Sequence, residues 1–453
     1  AVAEPSGAVE GGSSAGVPAD ASLTAAQRRV LDLAAGARVA LAQGPPGTGK
    51  TATAAWVVQM WRRMFGTCVL CCADSNAAAD RFSQALTQRG VQNIRLGQGA
   101  DHERSEHLWW LPAYGEYMRA KRGRVPSEEM WKRMKLERQA IAEFGVAVTT
   151  CAGAGHDSLL KFTFPCVVID ECTQAVLPST LVPLGLGAER VVLLGDHKQL
   201  PPTLLDEAIA REGFQRSLFE RLIVARPSWS VMLDVQFRMH PTIADFPSEE
   251  FYGGGVRSDR SCADLAPITG IEWPAGGRVL CVDVQGWEDG SGLSAQNEGE
   301  ARAIVEFLRL VAAGGLRSGE VGIITPYQAQ KALLRRLLQD TPHHGVTVDT
   351  VDGFQGSERE LIIFSAVRSN SQGRIGFLAD RRRMNVALTR ARRGLVVFAS
   401  RATLEQASCR RGGGGGGDDG AHNDPQAWLR WLRWAQPFWA LPTAASAAAA
   451  AGG

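Results

Sequence analysis

Hydrophobic residues in this chain fall in short unbroken runs, and polar, helix-compatible stretches separate one run from the next. Five runs come first, Arg38–Gln43, Cys68–Ala73, Gly145–Thr149, Cys166–Asp170 and Arg190–Gly195. Five more follow, Arg278–Val284, Val321–Thr325, Val346–Val351, Leu361–Val367 and Gly394–Ala399. A strand buried on one face alternates apolar with polar residues, whereas a strand covered on both faces has no reason to. The runs therefore predict an α/β fold of parallel sheets with helices between the strands. Two series predict two sheet domains in tandem, meeting near Pro227–Val235. The length of 453 residues agrees, because a single core stops growing well before that size.

The stretches outside the runs are of several kinds. Asp101–Glu143 is polar and helix-prone and mixes bases with acids, so it reads as a helical insert in the first domain. That mixture leaves a solvated face and a nucleic-acid arm equally open. Residues 1–22 contain no Lys or Arg and predict a disordered leader, neither a secretory signal nor an organellar presequence. The chain opens on Ala1 rather than Met, which leaves targeting information at that end open. Near the other end, Gly412–Gly417 predicts a flexible linker over 406–424. Trp428, Trp431 and Trp434, three residues apart, predict a helix within 425–442 that docks back on the fold, with an interfacial membrane helix as the alternative. The Ala-rich residues 443–453 carry no chemistry.

Composition narrows the class. Hydrophobic residues at 45% supply enough material for packed cores, and a net charge of +2 confines any nucleic-acid surface to a local patch. Nine cysteines lie without repeated paired spacing, so no zinc module is expected. Cys68-Val69-Leu70-Cys71-Cys72 reads as strand cysteines rather than half of a metal site. Reduced thiols predict an intracellular protein, cytoplasmic or nuclear. No run approaches the ~20 apolar residues of a membrane helix, so no membrane partner is expected.

The chemistry begins at Gly44-Pro45-Pro46-Gly47-Thr48-Gly49-Lys50-Thr51, directly after the apolar Val39–Ala42 and before the helix-prone Ala52–Phe65. This is a complete phosphate-binding loop between strand and helix. Glycines let successive N–H groups turn towards phosphate oxygens, Lys50 adds a point charge, and the Thr51 hydroxyl can join a magnesium shell. A nucleoside triphosphate with Mg2+ is the expected ligand, at the positive end of the following helix. Val167-Val168-Ile169 then ends in Asp170-Glu171. Neighbouring strand-end side chains point in different directions, so Asp170 can hold the metal shell while Glu171 polarises the attacking water. Leu193-Leu194-Gly195 opens in the same way into Asp196-His197-Lys198-Gln199. Gln199 is placed to sense the terminal phosphate, and His197 reads as a solvent-facing loop histidine.

Six segments in this order, Gln43–Thr51, Asp170–Ala175, Gly195–Pro202, Gln236–Pro241, Asp352–Glu358 and Asn385–Arg392, resemble the motifs of superfamily 1B helicases. Within them the chain is similar to the up-frameshift-like group, which includes the nonsense-mediated-decay helicase, senataxin and the immunoglobulin mu-binding helicase. The resemblance covers Leu23 to Leu404. It implies two RecA-like domains, 23–229 with the 101–143 insert and 230–405, with ATP in the cleft between them. Arg238 and Arg390 would reach the terminal phosphate and complete a catalytic set with Lys50, Glu171 and Gln199. Gln27 would read the adenine edge, Phe237 would stack where relatives often place tyrosine, and Glu358 would contact ribose. Gln174, Gly356 and Arg390 would link nucleotide state to the strand groove.

For the strand itself the resemblance implies contacts at Ser75, Asn76, Thr150, Gly153, Thr325, Pro326, Tyr327 and Thr350, although each alone also fits a turn former. Asp74 stands where relatives commonly carry proline and places a carboxylate near the proposed phosphate track. The implied activity is that of an ATP-dependent, 5'-to-3' helicase or translocase on single-stranded RNA, with DNA as the other substrate, acting as a monomer. An ATP-gated clamp or remodelling scaffold that does not unwind, and a DNA repair or replication helicase, are the alternatives.

Overall fold

The computed structural model describes residues 23–97, 130–204, 206–284, 286–290, 294–409 and 423–439. The expected leader at 1–22, the insert up to residue 129, most of the 406–424 linker and the tail from 440 lie outside the described residues. The chain divides into two compact units. The first comprises the chain up to Ala42, Lys50–Gly195 and Leu218–Val231; the second comprises Gln43–Gly49, Asp196–Ser217 and the chain from Met232 onwards.

In the first unit the strands are β1 (Val39–Gln43), β2 (Val69–Ala73), β3 (Ile94–Arg95), β4 (Val146–Thr150), β5 (Cys166–Asp170), β6 (Arg190–Gly195) and β7 (Ser230–Met232). They form one sheet in the order β3-β4-β2-β5-β6-β1-β7. β2 pairs in parallel with β4 and β5, and β5 with β6. Every residue of β2 and β5 is buried, which is why these strands carry no polar alternation. Helix Ala25–Gly36 starts on a capping box between Thr24 and Gln27. Helix Lys50–Phe65 packs through Trp61, whose indole N–H donates to Ala34 O at 3.0 Å. The edge strands β3 and β7 are only two and three residues long, too short to show as runs.

The second unit holds a small parallel pair, β8 (Val235–Gln236) and β9 (Arg257–Ser258). Its main sheet contains β10 (Val279–Asp283), β11 (Val321–Thr325), β12 (Thr347–Thr350), β13 (Arg359–Ser365) and β14 (Ala391–Ala399). The order is β10-β14-β13-β11-β12 and every pairing is parallel. The tryptophan helix predicted at the end spans Gln426–Trp434 and docks into this unit. Trp428 stacks on Phe364 with ring centroids 5.9 Å apart and donates its indole N–H to Leu378 O at 2.7 Å. Trp431 meets Trp428 edge-on at 5.3 Å. Both rings are fully buried, so the apolar face that a membrane surface would need is spent on the core. No helix among the described residues is long and apolar enough to cross a membrane.

One buried carboxylate shapes the same unit. Glu300, near the start of helix Glu298–Ala313, accepts from Val367 N at 3.0 and 3.1 Å and from the Ser365 hydroxyl. Val367 sits at φ 70°, a left-handed conformation that a β-branched residue rarely adopts. The carboxylate therefore pins a strained turn directly after β13. Burial pushes the Glu300 pKa up to about 8, against opposing hydrogen bonds from Ser365 and Val367.

Two outcomes are expected. Trp431→Ala should lower the unfolding free energy of the second unit by about 3–5 kcal/mol, read by denaturant titration. Glu300 binds its proton more tightly folded than unfolded, so its contribution is present below its unfolded pKa and is lost as pH rises from about 4.5 through about 8. Thermal unfolding of Glu300→Gln should be flatter over that interval than that of the parent chain.

Candidate functional site

In the first unit, two strand-end carboxylates meet the start of helix Lys50–Phe65. The Thr51 hydroxyl donates to Asp170 Oδ2 at 2.6 Å, and Lys50 Nζ lies 3.8 Å from Glu171 Oε1. Glu171 has φ 50° and ψ 36°, and its N–H donates to Asp170 Oδ1 at 3.0 Å. A non-glycine residue in that left-handed region costs ~1–3 kcal/mol, a feature that clusters at working sites. The turn separates the two acids as strand geometry requires: Asp170 faces Thr51, and Glu171 faces Lys50 and Gln174, whose Nε2 donates to it at 3.1 Å. Burial raises the Asp170 pKa to about 6; the neighbouring charge of Glu171 adds to this, and Thr51 and Lys50 oppose it. A carboxylate and a hydroxyl side by side are hard oxygen donors, the protein's usual share of a magnesium shell that phosphates and waters complete. The donor set fits Mg2+.

The second unit contributes the loop Gln43–Gly49 and what packs on it. Gly47 and Gly49 both have positive φ, 75° and 79°. Phe237 N donates to Gly47 O at 2.9 Å, and a Cβ built on Gly47 would stand 2.6 Å from Arg238 Cβ. Glycine at 47 thus serves both the turn and the approach of Arg238. The Thr48 hydroxyl closes the loop by donating to Pro45 O at 2.7 Å. Gly44, Pro45 and Pro46 are buried.

The expected phosphate-facing groups of this unit come in two sets. Arg238 donates through Nε to Glu358 and through Nη1 to Thr389 O at 3.1 Å. Glu358, expected on ribose, is therefore Arg238's ion-pair partner here. The glutamate is exposed, so the pair is weakly held and a phosphate can compete for the guanidinium. In the other set, Arg390 Nη2 donates to Gln199 Oε1 at 2.9 Å, while Gln199 Nε2 donates to Asp196 Oδ2 at 2.6 Å. Gly356 lies at φ 75° in the turn before Glu358.

The remaining nucleotide positions are mixed. Phe237 leaves 43% of its surface exposed and offers a ring face for stacking. Gln27 is buried, and its Oε1 accepts from Thr24 N at 2.9 Å as part of the helix cap. His197 is half-buried rather than solvent-facing.

The strand positions divide by burial. Ser75 and Asn76 are exposed beside an exposed Asp74, at the end of β2. Ser75 caps helix Asn76–Gln88 by accepting from Ala78 N at 3.2 Å. Asn76 Oδ1 accepts at 2.9 Å from Arg95, a buried guanidinium that also pairs with Asp80. Thr150 Oγ1 accepts from Gly153 N at 3.0 Å, and Thr350 Oγ1 accepts from Gly353 N at 3.2 Å. The ends of β4 and β12 thus carry the same turn in both units.

Thr325 and Tyr327 need correction. They are 0% and 1% exposed, so neither offers a surface to a strand. The Thr325 hydroxyl sits under the Tyr327 N–H. The Tyr327 ring packs against Phe377, and its hydroxyl donates to Ile375 O at 3.4 Å. Only Pro326 of that trio is partly open. Sequence reasoning missed Asp196, Tyr252 and Asn385, whose side chains meet behind Gln199; Asp196 and Asn385 lay inside recognised segments without a role of their own, and Tyr252 lay outside all of them.

Two family models, each described as an AAA domain, match this chain, one at residues 22–111 and 112–207 and the other at 214–402. A regulator of nonsense transcripts 1 homolog from Neurospora crassa is 34% identical over 85% of this chain and 38% of its own length. The ATP-dependent helicase NAM7 of Saccharomyces cerevisiae is 35% identical over 86% of this chain and 42% of its own. The chain belongs to the up-frameshift-like superfamily 1B helicases. Within that family, the DNA-binding protein SMUBP-2 of Mesocricetus auratus is 33% identical over 81% of this chain and 41% of its own length. The chain thus spans well under half of each of these relatives.

Gly47→Ala is expected to weaken adenine-nucleotide binding at least tenfold, because a methyl group at 47 collides with Arg238 and strains the loop. Titration of a fluorescent nucleotide reads the effect. Gly36→Ala, with nothing within 4 Å of the new Cβ, is the matched control and should leave affinity unchanged.

Proposed function

We propose that this chain is an ATPase motor that steps along single-stranded RNA in the 5'-to-3' direction, with single-stranded DNA as a second substrate. The observation that carries the reading is the pairing of Thr51 with Asp170 and of Lys50 with Glu171 at the end of β5, directly after the glycine loop. Phosphoryl transfer asks a protein for positioning and for charge placed on the transferring group, and little else.

In this reading Lys50 holds the terminal phosphates, and Thr51 and Asp170 hold the magnesium ion, which when bound offsets phosphate charge. Glu171, held by its left-handed turn and by Gln174, orients the attacking water and takes its proton. Arg238, released from Glu358, and Arg390, held by Gln199, bring guanidinium charge to the terminal phosphate. Phe237 stacks on the base and Gln27 recognises its edge. Ser75, Asn76, Thr150, Gly153, Pro326 and Thr350 grip the strand by its backbone, which suits movement that ignores base sequence. The relatives' names bear on both substrates: the Neurospora crassa relative is called a regulator of nonsense transcripts and SMUBP-2 a DNA-binding protein, while NAM7 is called an ATP-dependent helicase.

Phosphate release stimulated by single-stranded RNA should fall at least a hundredfold in Lys50→Ala and in Glu171→Gln, the scale expected for losing phosphate contact or a general base. Rates that ignore either substitution, or ignore the strand, would sink the motor reading. Competition between RNA and DNA of one sequence at a fixed salt concentration ranks the two substrates.

A further inference from the structure

Behind Gln199 and Arg390 the second unit closes a ring of hydrogen bonds that the phosphate chemistry does not by itself require. Tyr252 ends helix Pro241–Tyr252, and its hydroxyl donates to Asp196 Oδ2 at 2.7 Å. The same hydroxyl accepts from Asn385 Nδ2 at 2.7 Å, and Asn385 Nδ2 also donates to Lys198 O at 2.8 Å. Asp196 Oδ2 takes the Gln199 amide, and Gln199 Oε1 takes Arg390. Arg390 Nε donates to Val386 O at 3.0 Å, one residue from Asn385 on helix Arg381–Leu388. The circuit Tyr252–Asp196–Gln199–Arg390–Val386–Asn385 therefore returns to its start.

The ring fixes an orientation that a side-chain amide does not choose unaided. Gln199 can present either its carbonyl or its amino end to Arg390, and only the carbonyl accepts a guanidinium N–H. Asp196, an acceptor, holds the amino end and so turns the carbonyl to the arginine. Asp196 in turn needs donors, because a buried carboxylate without them is costly. Tyr252 supplies one of them, and Lys198 N supplies another at 3.2 Å. A phenol suits the post because it gives one hydrogen bond and accepts another; phenylalanine fills the same space and does neither. Burial and the neighbouring Asp196 hold the Tyr252 hydroxyl well above the usual phenol range, so it stays a donor. Helix Pro241–Tyr252 begins three residues after Arg238, so one rigid element runs from the first arginine to the ring that holds the second.

We infer that Tyr252 is a positioning residue for nucleotide turnover, acting through Asp196 to keep Gln199 and Arg390 aligned as one phosphate-sensing pair. The inference rests on the ATP reading above.

The test measures RNA-stimulated ATP turnover and thermal unfolding in the full chain, comparing the parent with Lys50→Ala, Tyr252→Phe, Asp196→Asn and the Tyr252→Phe/Asp196→Asn double variant. Tyr252→Phe should lower kcat about tenfold, keep KM for ATP within about twofold and melt close to the parent. The double variant should lose no more than the worse single one, as members of one network do. A kcat unchanged in Tyr252→Phe, losses that multiply in the double variant, or a fall in kcat explained by a fall in melting temperature would each overturn the inference. Turnover that survives Lys50→Ala would instead overturn the ATP reading, so the two failures are told apart.

Discussion

A parallel sheet covered on both faces has no room for polar side chains along its strands, so such groups can collect only where the strands stop. That constraint organises this protein. In the first unit, β1, β2, β4, β5 and β6 end at the phosphate loop, at Asp74-Ser75-Asn76, at Thr150, at Asp170 and just before Asp196. In the second, β11, β12 and β13 end at Thr325, Thr350 and the strained Val367 turn. Hydrophobic burial fixes the strands, and the chemistry inherits its positions from where burial ends.

The burial pattern also explains what was legible in the sequence. Each of the ten apolar runs corresponds to a strand of four residues or more, because burial of a strand on both faces writes itself into consecutive residues; the edge strand β12 is the exception, alternating half-buried and buried positions. The strands β3, β7, β8 and β9 left no such mark, being two or three residues long. The phosphate loop and the Asp170-Glu171 pair were readable because their meaning lies in neighbours along the chain. Thr325 and Tyr327 misled for the opposite reason: their place at a strand end follows from sequence, but Tyr327 is covered by Ile375 and Phe377, about fifty residues away, and the Thr325 hydroxyl lies against the Tyr327 N–H. Tyr252 reaches Asp196 across 56 positions and Asn385 across 133, and no local pattern announces such a meeting.

Charge placement shows a second theme: two of the cations proposed to meet phosphate, Arg238 and Lys50, have ion-pair partners they can leave, whereas Arg390 is fixed in its ring. Arg238 rests on the exposed Glu358, and Lys50 stands 3.8 Å from Glu171, longer than a tight ion pair. Purely structural cations are tied more firmly, Arg430 bidentately to Glu250 and Arg95 deep beneath Asn76. Glu250 lies two residues before Tyr252, so the carboxyl-terminal helix steadies the same element that reaches Asp196.

That last helix has an implication for where this fold ends. The family match stops at residue 402, yet Trp428 and Trp431 lie sealed beneath the surface well beyond it, against Phe364 and Leu378 of the second sheet's own core. A chain trimmed at the homology limit would therefore uncover an aromatic trough on its second lobe and invite self-association. The folding limit and the end of the family-model match do not coincide here.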